Sequence, residues 1–118
     1  MNPLADSKLA DAIAHQEGFY VQGSLPQRNN NPGDLRHGNG EVHPDNQPNS
    51  VGSFATSEDG WAALNRQLNL DSARGWTVQQ LIYSYAPPSE NNTEAYLDYV
   101  CQSVGCSPRD LVSAALKL

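Results

Sequence analysis

The chain has 118 residues, 38% of them apolar, with seven basic against thirteen acidic residues and a net charge of −6. That length suits one domain with a core of its own, needing no metal or disulfide staple. The acidic balance, with a pI near 4.7, argues against a nucleic-acid binder, which needs a basic footprint, and against electrostatic docking onto an anionic membrane or wall. A neutral ligand held by hydrogen bonds and aromatic faces fits better. The start, MNPLADSKLADAIAHQ, lacks the cationic-then-apolar order of a secretory signal. No apolar run approaches the length of a membrane span, so a soluble chain without membrane insertion is expected.

Pro3 suits a first helical turn with Asn2 as its cap. Leu4, Leu9, Ala10, Ile13 and Ala14 then fall mainly on one face, so the first helix is predicted to run to about Gln16, with Gly18 as its stop. Between them stands Glu17, followed by Phe19 and Tyr20. A carboxyl group at a helix end, beside aromatics and facing a polar loop, is one way to build a general acid, because apolar neighbours penalise the charged form. The plainer role is a solvated last-turn carboxylate, the commoner fate of surface acids.

From Gln22 to Val51 nearly every short window holds Gly, Pro, Asn or Asp, and no apolar period survives. This predicts a long structured loop or small hairpin, with short strands at Leu35-Arg36 and Val51 to Phe54. Thr56 with Glu58 and Asp59 reads as a helix start, and Trp61, Leu64 and Leu68, with Ala62 as a further candidate, form a buried stripe that fades near Arg74-Gly75. Thr77 and Gln80 make a capping box for a third helix carrying Leu81, Ile82 and Tyr85, which Pro87 and Pro88 end. Asn91 and Asn92 precede a fourth helix with Tyr96, Leu97, Val100 and Cys101 inward. Ser107-Pro108 is predicted to cap a short last helix with Leu111, Val112, Ala115 and Leu116 inward. The expected fold is mainly α, about five short helices over residues 1–118, with one irregular loop or small β-hairpin lining a groove. Cys101 and Cys106, the only cysteines, have no metal spacing. They fit either a disulfide across the turn at Gly105 or two reduced thiols.

Two segments carry candidate chemistry. RNNNPGDL, residues 28–35, is a shaped turn of amide donors and acceptors, the kind that binds sugars beside flat aromatic faces. YSYAPPSENNT, residues 83–93, is a helix break and a new cap, with Tyr85 either a core edge or a ligand platform. Taken in order, helix-Glu-Gly-Phe, NNNPGDL, GSFATSEDGWAAL and SYAPPSENNTEAY resemble a small phage and bacterial lysozyme-like domain, related in fold to soluble lytic transglycosylases and goose-type lysozymes. The likeness covers about Ile13 to Gly105.

The resemblance implies an α+β lysozyme-like fold whose groove cleaves the β-1,4 link between N-acetylmuramic acid and N-acetylglucosamine, with no cofactor and no metal. Glu17 matches the catalytic glutamate. Asn31 and Leu35 fall in the groove loop, Tyr85 matches the aromatic before the Pro-Pro turn, and Asn91 closes the YAPPSEN stretch. Asp34 stands where such domains often have Asn. In a lytic transglycosylase the one glutamate acts as acid and then as base toward the sugar's own 6-hydroxyl; this is the expected chemistry. A hydrolytic muramidase would need a second carboxylate to position water, for which Asp34, Glu41, Asp45 and Glu58 are the candidates. His15, His37 and His43 read as local polar groups. The expected partner is the peptidoglycan glycan strand, met at the bacterial wall by a monomer. A phage particle or a secretion machine would deliver it, unless a leader has been removed. A secreted toxin of this kind would have a cognate inhibitor. Rival readings are a catalytically silent glycan-binding or virion module, and a small helical DNA-binding domain, which the charge opposes.

Overall fold

In a computed structural model of the chain, which describes residues 1–36, 41, 42 and 52–118, the architecture is mainly helical. Six helices are found among the described residues: α1 Lys8–Glu17, α2 Leu25–Arg28, α3 Ser57–Ala73, α4 Val78–Tyr85, α5 Thr93–Val104 and α6 Val112–Ala115. Two two-residue strands, β1 Glu41–Val42 and β2 Ser53–Phe54, pair antiparallel with Glu41 opposite Phe54.

Helix α1 starts later than predicted. Asn2 serves a separate turn, its side-chain oxygen accepting from Leu4 N at 2.9 Å and its carbonyl from Ala5 N at 3.0 Å. Ser7 is the true cap, accepting from Ala10 N at 3.1 Å, and both residues are good cap formers. Leu9, Ala10, Ile13 and Ala14 are fully buried. They lie against α5, whose Tyr96, Leu97, Val100, Cys101 and Val104 face inward. The alanines leave room for the two helices to approach closely. Each large aliphatic side chain buried in this seam contributes about 1.5–3 kcal/mol.

Helix α3 runs through the centre, with Trp61, Leu64 and Leu68 at or near zero exposure. Ala63 takes the inward position, and Ala62 is exposed. Thr56, the Thr77–Gln80 box and Asn92 cap α3, α4 and α5 as predicted, and Gly18 and Gly105 end α1 and α5 in the left-handed conformation, at φ 88° and 82°. Helix α6 is shorter than predicted. Ser107-Pro108 opens a turn closed by Asp110 N to Ser107 O at 3.0 Å, and Leu111, half exposed, is drawn outward into a bridge with Thr77. Cys101 and Cys106 are free thiols, the first buried and the second partly exposed.

The loop after α1 holds more order than its composition indicates. Ser24 caps α2, accepting from Gln27 N at 3.3 Å, with Pro26 in the first turn; four residues are too few to show a period. Leu35-Arg36 is not a strand, although the Leu35 carbonyl accepts from Gly52 N at 2.8 Å. Val51, His37, His43 and Asp45 lie outside the described residues.

Candidate active site

Glu17 is the last residue of α1. Gly18 turns the chain immediately after it, and Phe19 folds back with its N–H on the Ala14 carbonyl at 3.0 Å. Phe19 packs edge-on against Trp61, ring centroids 5.5 Å apart. This arrangement keeps Glu17 on the inner side of the helix, where the Tyr96 hydroxyl of α5 donates to Oε2 at 2.7 Å. Burial pushes the Glu17 carboxyl up to about 7; the Tyr96 hydrogen bond opposes that shift and the Asp34 charge adds to it. A half-neutral carboxyl at neutral pH can both give and take a proton.

Glu17 opens onto a cleft of about 650 Å³, within the range of small-ligand sites. One wall is the Gly33–Arg36 turn. A second part of the lining is Ser84, Tyr85 and Pro87 at the end of α4, with Glu90 and Asn91. A third is Gln67 and Asp71 of α3 together with Arg74 and Trp76 after it. Glu17, Asp34, Leu35, Tyr85 and Asn91, separate in sequence, therefore share one cavity.

The turn is held rigidly. Asn30 adopts φ 51° and donates from Nδ2 to the Phe54 carbonyl at 3.0 Å, while Phe54 N reaches Asn29 O at 2.8 Å. Gly60 lets α3 pass directly under this turn, since any Cβ there would overlap the Asn30 carbonyl. At Gly33 a Cβ would lie 2.5 Å from the Tyr85 hydroxyl and 2.8 Å from Leu64 Cδ1, so these side-chain ends would have to shift. The Tyr85 hydroxyl donates to the Gly33 carbonyl, tying these two parts of the lining together.

Asn31 corrects the sequence expectation. Its side chain is fully buried, Nδ2 donating to Leu35 O and Gly52 O, both at 2.8 Å, and Oδ1 accepting from Leu35 N at 2.9 Å. Both amide protons and the carbonyl oxygen are engaged, so Asn31 shapes the turn and does not face a ligand. Asp34 does face the cleft. It sits at φ 50°, a conformation that Asn and Asp tolerate better than most residues. Among the described residues its buried Oδ1 has no hydrogen-bond partner, and burial raises its pKa against the pull of Arg36.

Of the acids considered for a second role, Asp34 alone among the described side chains lines the cleft. Glu58 belongs to a separate surface hollow with Leu4 and Trp61. Sequence reasoning read Tyr96 as core only, and it missed Asp71, Arg74 and Trp76 altogether. Tyr96 stands at a regular inward position of α5, so its pattern carries no sign of a second partner. Tyr20 was expected beside the acid but points outward, donating to Asp11 at 2.5 Å and packing at a tilt against His15, ring centroids 4.2 Å apart.

Among the described residues, no group of three or more His, Cys, Asp or Glu side chains could hold a metal ion, and no helix is long and apolar enough to cross a membrane. Comparison with models of protein families, with curated proteins and with solved structures finds no match.

Proposed function

We infer that this chain is a lysozyme-like peptidoglycan glycosidase, cleaving the β-1,4 link between N-acetylmuramic acid and N-acetylglucosamine with Glu17 as general acid. The observation that carries the reading is the Glu17 carboxyl, pushed up to about 7 by burial and held by the Tyr96 hydroxyl in a cleft lined by a polar turn and a tyrosine. The glycosidic oxygen is a poor leaving group and must be protonated as oxocarbenium character develops. Neutral Glu17 supplies that proton. Ionised, it then draws a proton from the incoming oxygen nucleophile.

If the nucleophile is the muramyl 6-hydroxyl, the product is a 1,6-anhydro sugar and one carboxylate is enough. This transglycosylase route is the preferred one. The hydrolytic alternative gains support from Asp34, a second carboxylate lining the same cleft. Action at the bacterial wall follows from the substrate.

The test is turbidity clearing of purified peptidoglycan by wild type and Glu17→Gln, with mass spectrometry of the released fragments. Loss of roughly two to four orders of magnitude in rate is expected for the variant. Anhydro ends identify the transglycosylase and reducing ends the hydrolase. A Glu17→Gln protein that clears at the wild-type rate refutes the assignment.

A further inference from the structure

The α3 side of the cleft lining contains a charged array that a neutral sugar chain does not call for. Asp71, on the last turn of α3, has a side chain only 7% exposed. Gln67 Nε2 donates to its Oδ1 at 3.2 Å, and the same oxygen lies 3.5 Å from Arg74 Nε. The Arg74 guanidinium carbon stands 4.9 Å over the Trp76 ring. Burying a carboxylate is costly, and such pairs are weak sources of stability. What this one achieves is orientation: the guanidinium is steered along its Nε edge by Asp71 and backed on one face by Trp76. Arg74 itself is 58% exposed, at the cleft wall.

The cleft is not basic as a whole: Arg36 and Arg74 line it together with Glu17, Asp34, Asp71 and Glu90, so the place for an anion is the edge of the Arg74 guanidinium turned away from Asp71. A planar, stacked guanidinium is suited to forked hydrogen bonding with a carboxylate, which an ammonium point charge does not match.

We propose that Arg74, set by Asp71 and Trp76, is a subsite for a carboxylate on the ligand, and that in peptidoglycan this carboxylate belongs to the stem peptide. The proposal rests on the glycosidase reading for the identity of the ligand, but not for the anion chemistry. It makes peptide-bearing strands better ligands than unsubstituted ones.

Four probes test it, with Glu17→Gln as the background so that no glycan is turned over. They are a peptide-bearing muramyl tetrasaccharide, the same tetrasaccharide without peptide (its lactyl carboxylate bare), chitotetraose, and the free stem peptide. Affinity is read by calorimetry, and the Arg74 Nε–H and Trp76 indole N–H signals by NMR. The peptide-bearing glycan is expected to bind about tenfold more tightly than chitotetraose, an advantage that Arg74→Gln removes while leaving chitotetraose unchanged. Arg74→Lys, which keeps a positive partner for Asp71, is expected to recover part of it. Equal affinities for the two glycans, or equal losses in Arg74→Gln, overturn the subsite and leave the glycosidase reading standing. A free stem peptide that shifts the Arg74 and Trp76 signals while no glycan binds supports the subsite and overturns the glycosidase reading. Binding of none of the four overturns both. Tightest binding of the peptide-free muramyl glycan overturns the assignment to the stem peptide in favour of the lactyl group.

Discussion

Replacing Glu17 by Gln is expected to make the protein more stable at alkaline pH while abolishing its chemistry. In the folded chain the carboxyl ionises near 7, against 4.5 for the ordinary group. Between those values the folded state holds a proton that the unfolded state has released, so unfolding free energy falls as pH rises through that window. Below about 4.5 the group costs nothing, and above about 7 the full penalty stands. The difference in pKa corresponds to about 3 kcal/mol, and the opening of the cleft to water screens part of it, leaving roughly 1–3 kcal/mol. Glutamine matches the neutral acid in shape and still accepts from the Tyr96 hydroxyl. Glu17→Gln should therefore melt roughly 4–12 °C above wild type at pH 8 for a domain of this size, with the gain shrinking to nothing by pH 4. Thermal melts followed by circular dichroism at half-unit pH steps supply the curve. A flat difference across pH, or a variant less stable than wild type at pH 8, refutes a buried acid held against its preference for water.

Three further predictions follow from the same geometry. Tyr96→Phe removes a hydrogen bond that lowers the Glu17 pKa and Asp34→Asn removes a charge that raises it, so the alkaline limb of the pH–rate profile should move up in the first variant and down in the second; shifts in the same direction contradict the arrangement. Asn31→Ala strands the Leu35 and Gly52 backbone groups that its buried amide satisfies, at a cost of about 2–4 kcal/mol in urea unfolding. Gly60→Ala drives a methyl into the Asn30 carbonyl, and should destabilise by about 2 kcal/mol or more with a visible loss of tertiary near-ultraviolet signal.

The helices and their ends were legible in the sequence because they are local. The Thr77–Gln80 box, the Thr56 and Asn92 caps and the terminal glycines each act within about one turn of backbone, and apolar spacing places the buried faces of α1, α3 and α5. Local rules failed where two signals competed within a few residues. Asn2 and Ser7 are both good caps, and only packing decided which begins α1. Leu111 suits a core, but backbone pairing with the Trp76–Val78 segment turned it outward.

The candidate acid was visible as a residue type at a helix end. Its environment was not. Whether Glu17 is solvated or buried depends on Tyr96, 79 residues away, and no spacing within α1 or α5 announces that meeting. Asn31 shows the converse: its place in an asparagine-rich turn marks a site, but only the folded chain reveals that its amide is turned inward to Leu35 and Gly52 and is closed to a ligand. The sequence by itself determined the four longer helices, the charge balance and a carboxyl at the end of the first helix, since these follow from side-chain chemistry and neighbours along the chain. The tertiary structure decided the pKa of Glu17, the closeness of Asp34, and the Asp71, Arg74 and Trp76 wall. Desolvation and Coulomb interactions depend on distance in space, and the cleft gathers Glu17, Asp34 and the Asp71–Trp76 segment from three separate parts of the chain.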